Sequence, residues 1–312
     1  DVTSPFLVEV QESAVKPIEP VFLDYQKDMS QLKAKSDIPV LYKQNVANDL
    51  FQLIYVFDMG NNHDKALGTA FDYLEYLGTS DMTPEELKSE FYRLACTFYV
   101  SPGNERTYVV LSGLNENMPA AVQLFEKLLA DAQVNKEAYT NMTSDILKAR
   151  SDAKLNQGQN FSRLMSFAMY GPKSPATNLL TEAELTNMNP QELVDRIHNQ
   201  NSYKHRILYY GPSSSKDLLA TINQYHQVPA ALKDIPAGNE YSYLETPVTK
   251  VLVAPYDAKQ IYMAQISNLD KKYDPAIEPI RALYDEYFGG GMNSIVFQEM
   301  RETRGLAYSA WA

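Results

Sequence analysis

A zinc site built on one helix needs two imidazoles a turn apart. The four histidines of this chain, His63, His198, His205 and His226, include no pair at i and i+4. No metal site is therefore expected in the chain. The acidic stretch closest to such a pattern is Asp72-Tyr-Leu-Glu-Tyr76, where a carboxylate and a phenol flank Glu75 at the spacing of an inverted zinc motif. From residue types alone it is a helix with an apolar face and a solvated acid. The single cysteine, Cys96, lies in the apolar run Leu94-Ala-Cys-Thr-Phe-Tyr-Val100 and is expected to be a small buried hydrophobe rather than a nucleophile. With one cysteine, no disulfide can form within the chain.

The C-terminal residues carry more chemical potential. Gly289, Gly290 and Gly291 precede an N-cap expected at Asn293 or Ser294, and a helix carrying Ile295, Val296, Phe297 and Met300 follows. A glycine run of this kind lets backbone N–H groups come close to another group. It lacks the lysine and the spacing of a phosphate-binding Walker loop. Arg301 and Arg304 fall in the last helical turn, where the helix dipole favours cations, so both have a sufficient structural explanation. Gly305 is placed to end the helix, and Leu306-Ala-Tyr-Ser-Ala-Trp311 reads as a strand.

The elements that must position these residues follow from periodicity. Residues 1–37, with Pro5, Pro17 and Pro20, read as an irregular lead-in. Residues 39–43 and 50–57 read as a hairpin. Leu67, Ala70, Phe71, Leu74 and Leu77 share one helical face, with Gly78 placed to stop it. Thr83-Pro-Glu-Glu86 offers a cap, a first-turn proline and early acids for the next helix. Strands are expected at 96–100 and 107–112, helices at 119–132, 136–156, 161–170 and 190–198, and a strand at 206–210. Strands separated by long helical blocks define an α+β fold, a mixed and largely antiparallel sheet with helices on one face. Beyond the proline-rich stretch 228–247 the opening pattern returns, with a hairpin over 250–254 and 261–266 and a helix over 275–288. An internal duplication is expected, and its second copy stops before its remaining elements.

Composition narrows the partners. At 312 residues the chain is long enough for about two domains; it is 45% hydrophobic and 21% charged, near globular averages. A net charge of −11, with no basic stripe among aromatics, argues against nucleic acid. No stretch approaches the roughly 20 apolar residues of a transmembrane helix. The chain opens on Asp1 rather than Met, which leaves the compartment open, export to a periplasm included.

Phe288-Gly-Gly-Gly-Met-Asn-Ser-Ile-Val-Phe-Gln-Glu-Met-Arg-Glu-Thr-Arg-Gly-Leu-Ala-Tyr308 closely resembles a segment of the later domains of pitrilysin/insulinase-family zinc peptidases and their mitochondrial processing relatives. The order of elements from residue 38 onward is similar to that family's repeated domain. The resemblance implies a third-type domain at 38–227, a linker at 228–247 and a truncated fourth-type domain at 248–312, after a lead-in at 1–37. The family's first domain carries an inverted H-x-x-E-H zinc motif. Here Asp72 and Tyr76 stand where that motif has histidines and only Glu75 remains, and Asp145 and Asp152, near the distance of the family's third ligand, do not restore a site. The resemblance therefore implies a non-catalytic C-terminal half, with zinc on an N-terminal half of the same polypeptide. In active members such a half closes a substrate chamber and supplies an Arg and a Tyr to the peptide; the matching positions are Arg301 and Tyr308. The alternative is a catalytically dead structural or interaction subunit of the same fold.

Overall fold

A computed structural model describes residues 4–20, 22–268 and 273–312. The chain divides into two compact units, the first made of residues 1–242 and 254–262, the second of 243–253 and 263–312.

The first unit opens with helix α1 (Pro5–Glu12), capped by Ser4. A six-stranded sheet follows: β1 (Ser30–Lys33), β2 (Pro39–Gln44), β3 (Leu50–Phe57), β4 (Cys96–Pro102), β5 (Thr107–Leu114) and β6 (Arg206–Gly211), in the order β1-β2-β6-β3-β5-β4. Only the β2 and β6 pairing is parallel. Between and after the strands come α2 (Leu67–Leu74), α3 (Pro84–Arg93), α4 (Met118–Asp131), α5 (Lys136–Ala153), α6 (Gln157–Tyr170), α7 (Glu182–Asn187), α8 (Gln191–Asn199) and α9 (Ser215–Tyr225). Alternation decides the buried face: Phe51, Leu53, Tyr55 and Phe57 of β3, Val109 and Leu111 of β5, and Ile207 and Tyr209 of β6 are all buried. Their neighbours Leu50, Gln52, Tyr108 and Tyr210 are exposed. Helices α2, α3 and α4 pack against β4, and α8 and α9 pack on α2 and α4, so the fold is the expected α+β layer of helices over a mostly antiparallel sheet.

The expected hairpin of β2 with β3 does not form, because β6 lies between them. Val40 pairs with Ile207, and Ile207 pairs in turn with Tyr55. The connection from β2 to β3 therefore spans two strand spacings, roughly 10 Å. Asn45 organises it: its side chain reaches Asn48 Oδ1 at 2.7 Å and the Leu50 carbonyl at 3.0 Å, and its N–H donates to Gly211 O at 2.8 Å. The hairpin that does form is β1 with β2, so the stretch read as irregular up to Asp37 contributes a strand. Its turn places Ser36 and Asp37 at φ 57°, a left-handed conformation that a short polar side chain tolerates.

The cap expected for the helix after α2 forms as read. Thr83 and Glu86 make a complete capping box at the start of α3. Gly78 has a different job from the expected one: α2 ends at Leu74, and a Cβ on Gly78 would lie 2.3 Å from the Met82 carbonyl, which accepts the Thr79 N–H. Close backbone approach requires the glycine there.

In the second unit, α10 (Glu278–Asp285) is entered through a turn capped by Asp274. The chain widens into a π-type turn over Glu286–Gly290, then forms the single helical turn α11 (Ile295–Phe297), which continues as a second π-type turn over Gln298–Thr303. Thr246 and Asn268 bond each other through backbone and side chain. The strands expected at 250–254 and 261–266, which divide between the two units, and at 306–311 are absent. Val251, Val253, Ile261 and Met263 are all exposed. Strand propensity takes effect only where a neighbouring strand and a buried face receive the side chains, and an isolated hairpin is marginal in water.

Candidate functional site

The degenerate motif lies on α2 and its end. Phe71, Tyr73 and Leu74 are buried, while Asp72, Glu75 and Tyr76 are on the outer side. Partial burial, with the Glu75 charge beside it, pushes the Asp72 carboxyl above its usual range. Two mutually repelling carboxylates and an exposed phenol, without an imidazole, are a poor donor set for zinc. Asp152 is tied to Lys148 at 2.8 Å and both it and Asp145 are exposed. Among the described residues no group of three His, Cys, Asp or Glu side chains converges to hold a metal ion. The described residues do not fit zinc.

The histidines have structural partners. His63 Nδ1 accepts from the Gly60 N–H at 3.1 Å, and His198 Nε2 meets the Ala132 carbonyl at 3.1 Å. His205 and His226 bond each other at 2.9 Å inside the core. Cys96 is buried, and burial pushes its thiol up, as expected of a small hydrophobe.

The residue that the sequence reading passed over within the motif is Tyr73. Its side chain is fully buried, and its hydroxyl donates to Asn135 O at 2.5 Å and accepts from Asn135 N–H at 2.9 Å. Asn135 in turn caps α5 through its side chain. The centre of the degenerate motif is thus a clamp between α2 and the start of α5. Tyr73→Phe leaves both backbone groups of Asn135 without this partner and is predicted to cost about 1–3 kcal/mol. A urea midpoint unchanged from wild type would contradict that role.

In the second unit the glycine run and the arginine pair resolve into definite partners. The Glu286 carboxylate lies against Gly290 and Gly291, within about 3 Å of where a Cβ would stand on either residue. Ser294, not Asn293, caps α11, its Oγ accepting from Phe297 N–H at 3.3 Å. Gly305, at φ +59°, ends the following turn as expected, its N–H bonding Arg301 O at 3.0 Å. Arg304 pairs with Glu299 at 3.3 Å. Arg301 is held differently. Its guanidinium carbon lies 4.8 Å from the ring centres of both Phe297 and Tyr308, and its Nε is 3.5 Å from Glu302. The structure therefore brings Arg301 and Tyr308 together, by stacking of the guanidinium on the ring rather than from a helix and a following strand. The Tyr308 side chain is exposed. Cation–π stacking fixes a long side chain while leaving its N–H donors in its own plane free to bond elsewhere.

Comparison with known proteins places this architecture. No protein-family model matches the sequence. An uncharacterized zinc protease of Rickettsia felis is 20% identical over 263 residues, 80% of this chain and 60% of that protein. Among solved structures, the peptidase M16 inactive domain from Pseudomonas fluorescens aligns with a TM-score of 0.66 at 16% identity, covering 91% of this chain and 70% of that one. The periplasmic protease PqqL from Escherichia coli aligns at 0.60 and 14% identity over 78% of this chain and 30% of its own. The fold is that of M16 peptidase domains. In sequence the chain is similar to a zinc protease, and the resemblance to pitrilysin/insulinase-type zinc peptidases and their non-catalytic domains stands. The chain spans about 60% of the curated relative it matches and 30% of PqqL. Among the described residues no helix is long and apolar enough to cross a membrane.

Proposed function

We propose that this chain is the non-catalytic C-terminal half of a zinc metalloendopeptidase, closing a substrate chamber against an N-terminal half that carries the metal. On this reading residues 38–227 are a third-type domain, 228–247 a linker and 248–312 the start of a fourth-type domain. The observation that carries it is the Arg301 guanidinium held over the Tyr308 ring at 4.8 Å. Zinc, on the other half, would supply Lewis-acid chemistry there. This chain supplies hydrogen-bond donors: the guanidinium N–H groups and the Tyr308 hydroxyl meet the negative charge that grows on a peptide carbonyl oxygen as it is attacked. A guanidinium already pinned by two rings loses little rotamer freedom when it binds. An exported setting belongs to the same proposal, in line with the periplasmic protease among the structural neighbours.

A catalytically dead scaffold is the second reading, favoured by the loss of both imidazoles at Asp72 and Tyr76. Metal analysis and peptide assays on the isolated chain test the assignment of the zinc elsewhere. The expected result is substoichiometric zinc and no hydrolysis. Tightly bound zinc at one per chain would overturn it.

A further inference from the structure

A buried polar cluster of the first unit involves none of the residues of the degenerate motif. Glu126 of α4 and His226 at the end of α9 are almost fully buried, and His205, just before β6, is nearly so. Three hydrogen bonds of the imidazoles fix where the protons sit. His205 Nδ1 is 2.7 Å from the Tyr203 carbonyl, which can only accept, so Nδ1 carries a proton. Neutral His205 then presents a lone pair at Nε2, and His226 Nε2 must donate to it across 2.9 Å. The remaining His226 nitrogen, Nδ1, lies 2.7 Å from Glu126 Oε1, with one proton on that line. Glu126 Oε2 accepts from Asn201 Nδ2 and from the Gln227 N–H, both at 3.0 Å. From β3 the cluster is faced by the Tyr55 ring, 4.4 Å from His226, and the Phe57 ring, 4.6 Å from His205. Burial, then the negative charge of Glu126, holds the Tyr55 hydroxyl far above its usual range, so Tyr55 stays neutral.

Such a chain has one permitted proton count. A second proton on His205 puts an N–H on Nε2 facing the N–H of His226, and the bond between the rings becomes a contact of two donors. What it fastens is the exit of α9. Immediately after His226 the chain runs on as the connector 227–241, held by backbone bonds of Lys233 to Ser202 and Lys204 and of Asn239 to Asn62.

We propose that Glu126, His226 and His205 form an acid-released clasp that fastens the end of α9 and the connector 227–241 to the first unit at neutral pH. Burial and the neighbouring His226 hold His205 down to about 4, against 6.5 for a free imidazole. A base whose folded value is depressed contributes stability that is complete above the unfolded value and drains away as pH falls toward the folded one. The window is therefore from about pH 6.5 to about pH 4.

Hydrogen exchange of the 312-residue chain, corrected for intrinsic rates, reads the clasp directly. Protection of 227–241 should fall about 30-fold between roughly pH 7.5 and pH 5 in wild type, with less change in β3 and β5. His205→Asn, which cannot titrate, should remove that dependence; an identical pH profile in wild type and variant would overturn the clasp. Should the variant not fold, nitrogen NMR of the wild-type imidazoles decides. The expected pattern is His205 protonated at Nδ1 only and still neutral at about pH 5. His205 protonated at Nε2 in the neutral form, or titrating near its free value, would overturn the proposal.

Discussion

Glu126→Ala is expected to lower the unfolding free energy at neutral pH by about 3–5 kcal/mol, because it removes one member of a buried ionic and hydrogen-bonded set. Only 1% of Glu126 is accessible, and its two oxygens serve His226, Asn201 and the Gln227 N–H together. Alanine leaves all three donors without an acceptor, and Asn201 Oδ1 already has no protein partner. Each buried donor left unpaired carries a desolvation cost that a bond deleted in water does not. Glu126→Gln keeps one acceptor oxygen of similar shape and should lose only about 1–3 kcal/mol. The check is the urea midpoint of the full chain for all three proteins. Equal midpoints for wild type and Glu126→Ala would show that the set contributes nothing to stability.

The second large effect is on turnover. On the proposed reading, Arg301→Ala in the assembly with a zinc-bearing half reduces kcat by about 10²–10³-fold, the usual cost of one donor to a developing oxyanion. KM should change far less, since the contact is made mainly in the transition state. Tyr308→Phe should be milder, because phenylalanine keeps the ring on which the guanidinium rests and deletes only the hydroxyl. Tyr308→Ala removes both, so its effect and that of Arg301→Ala should fall short of adding. Stability separates this from a structural role. Arg301 is only partly buried, and its partners Glu302 and Tyr308 are exposed, so Arg301→Ala should leave the urea midpoint of the isolated chain close to wild type.

What the sequence revealed, and what it hid, divides by the range of the interactions. The Thr83 and Glu86 capping box, the strands β4 and β5 and the helix-ending Gly305 depend on residues a few positions apart, and each formed where the residue types required it. The insertion of β6 between β2 and β3 depends on pairing Val40 with Ile207, and no local pattern encodes such a partner. The clasp was hidden for the same reason. A search for histidines one helical turn apart passes over His205 and His226, which meet at a strand entry and a helix end. One signal was present: Glu126 stands four residues after Val122 and three before Leu129, on the apolar stripe of α4, and a charge on that stripe demands a buried partner. Tyr73 was likewise passed over because a phenol in an acidic motif reads as surface, although its ring completes the buried face of α2.

The central proposal, a half-enzyme whose role depends on the metal of the other half, is tested most directly by complementation. Peptide hydrolysis would be measured for a zinc-bearing half alone, for this chain alone, and for the two mixed as wild type, Arg301→Ala and Tyr308→Phe. Strong activity is expected only in the wild-type mixture, with Arg301→Ala the weakest. Full activity of the zinc-bearing half without this chain, or equal activity in all three mixtures, would contradict the proposal.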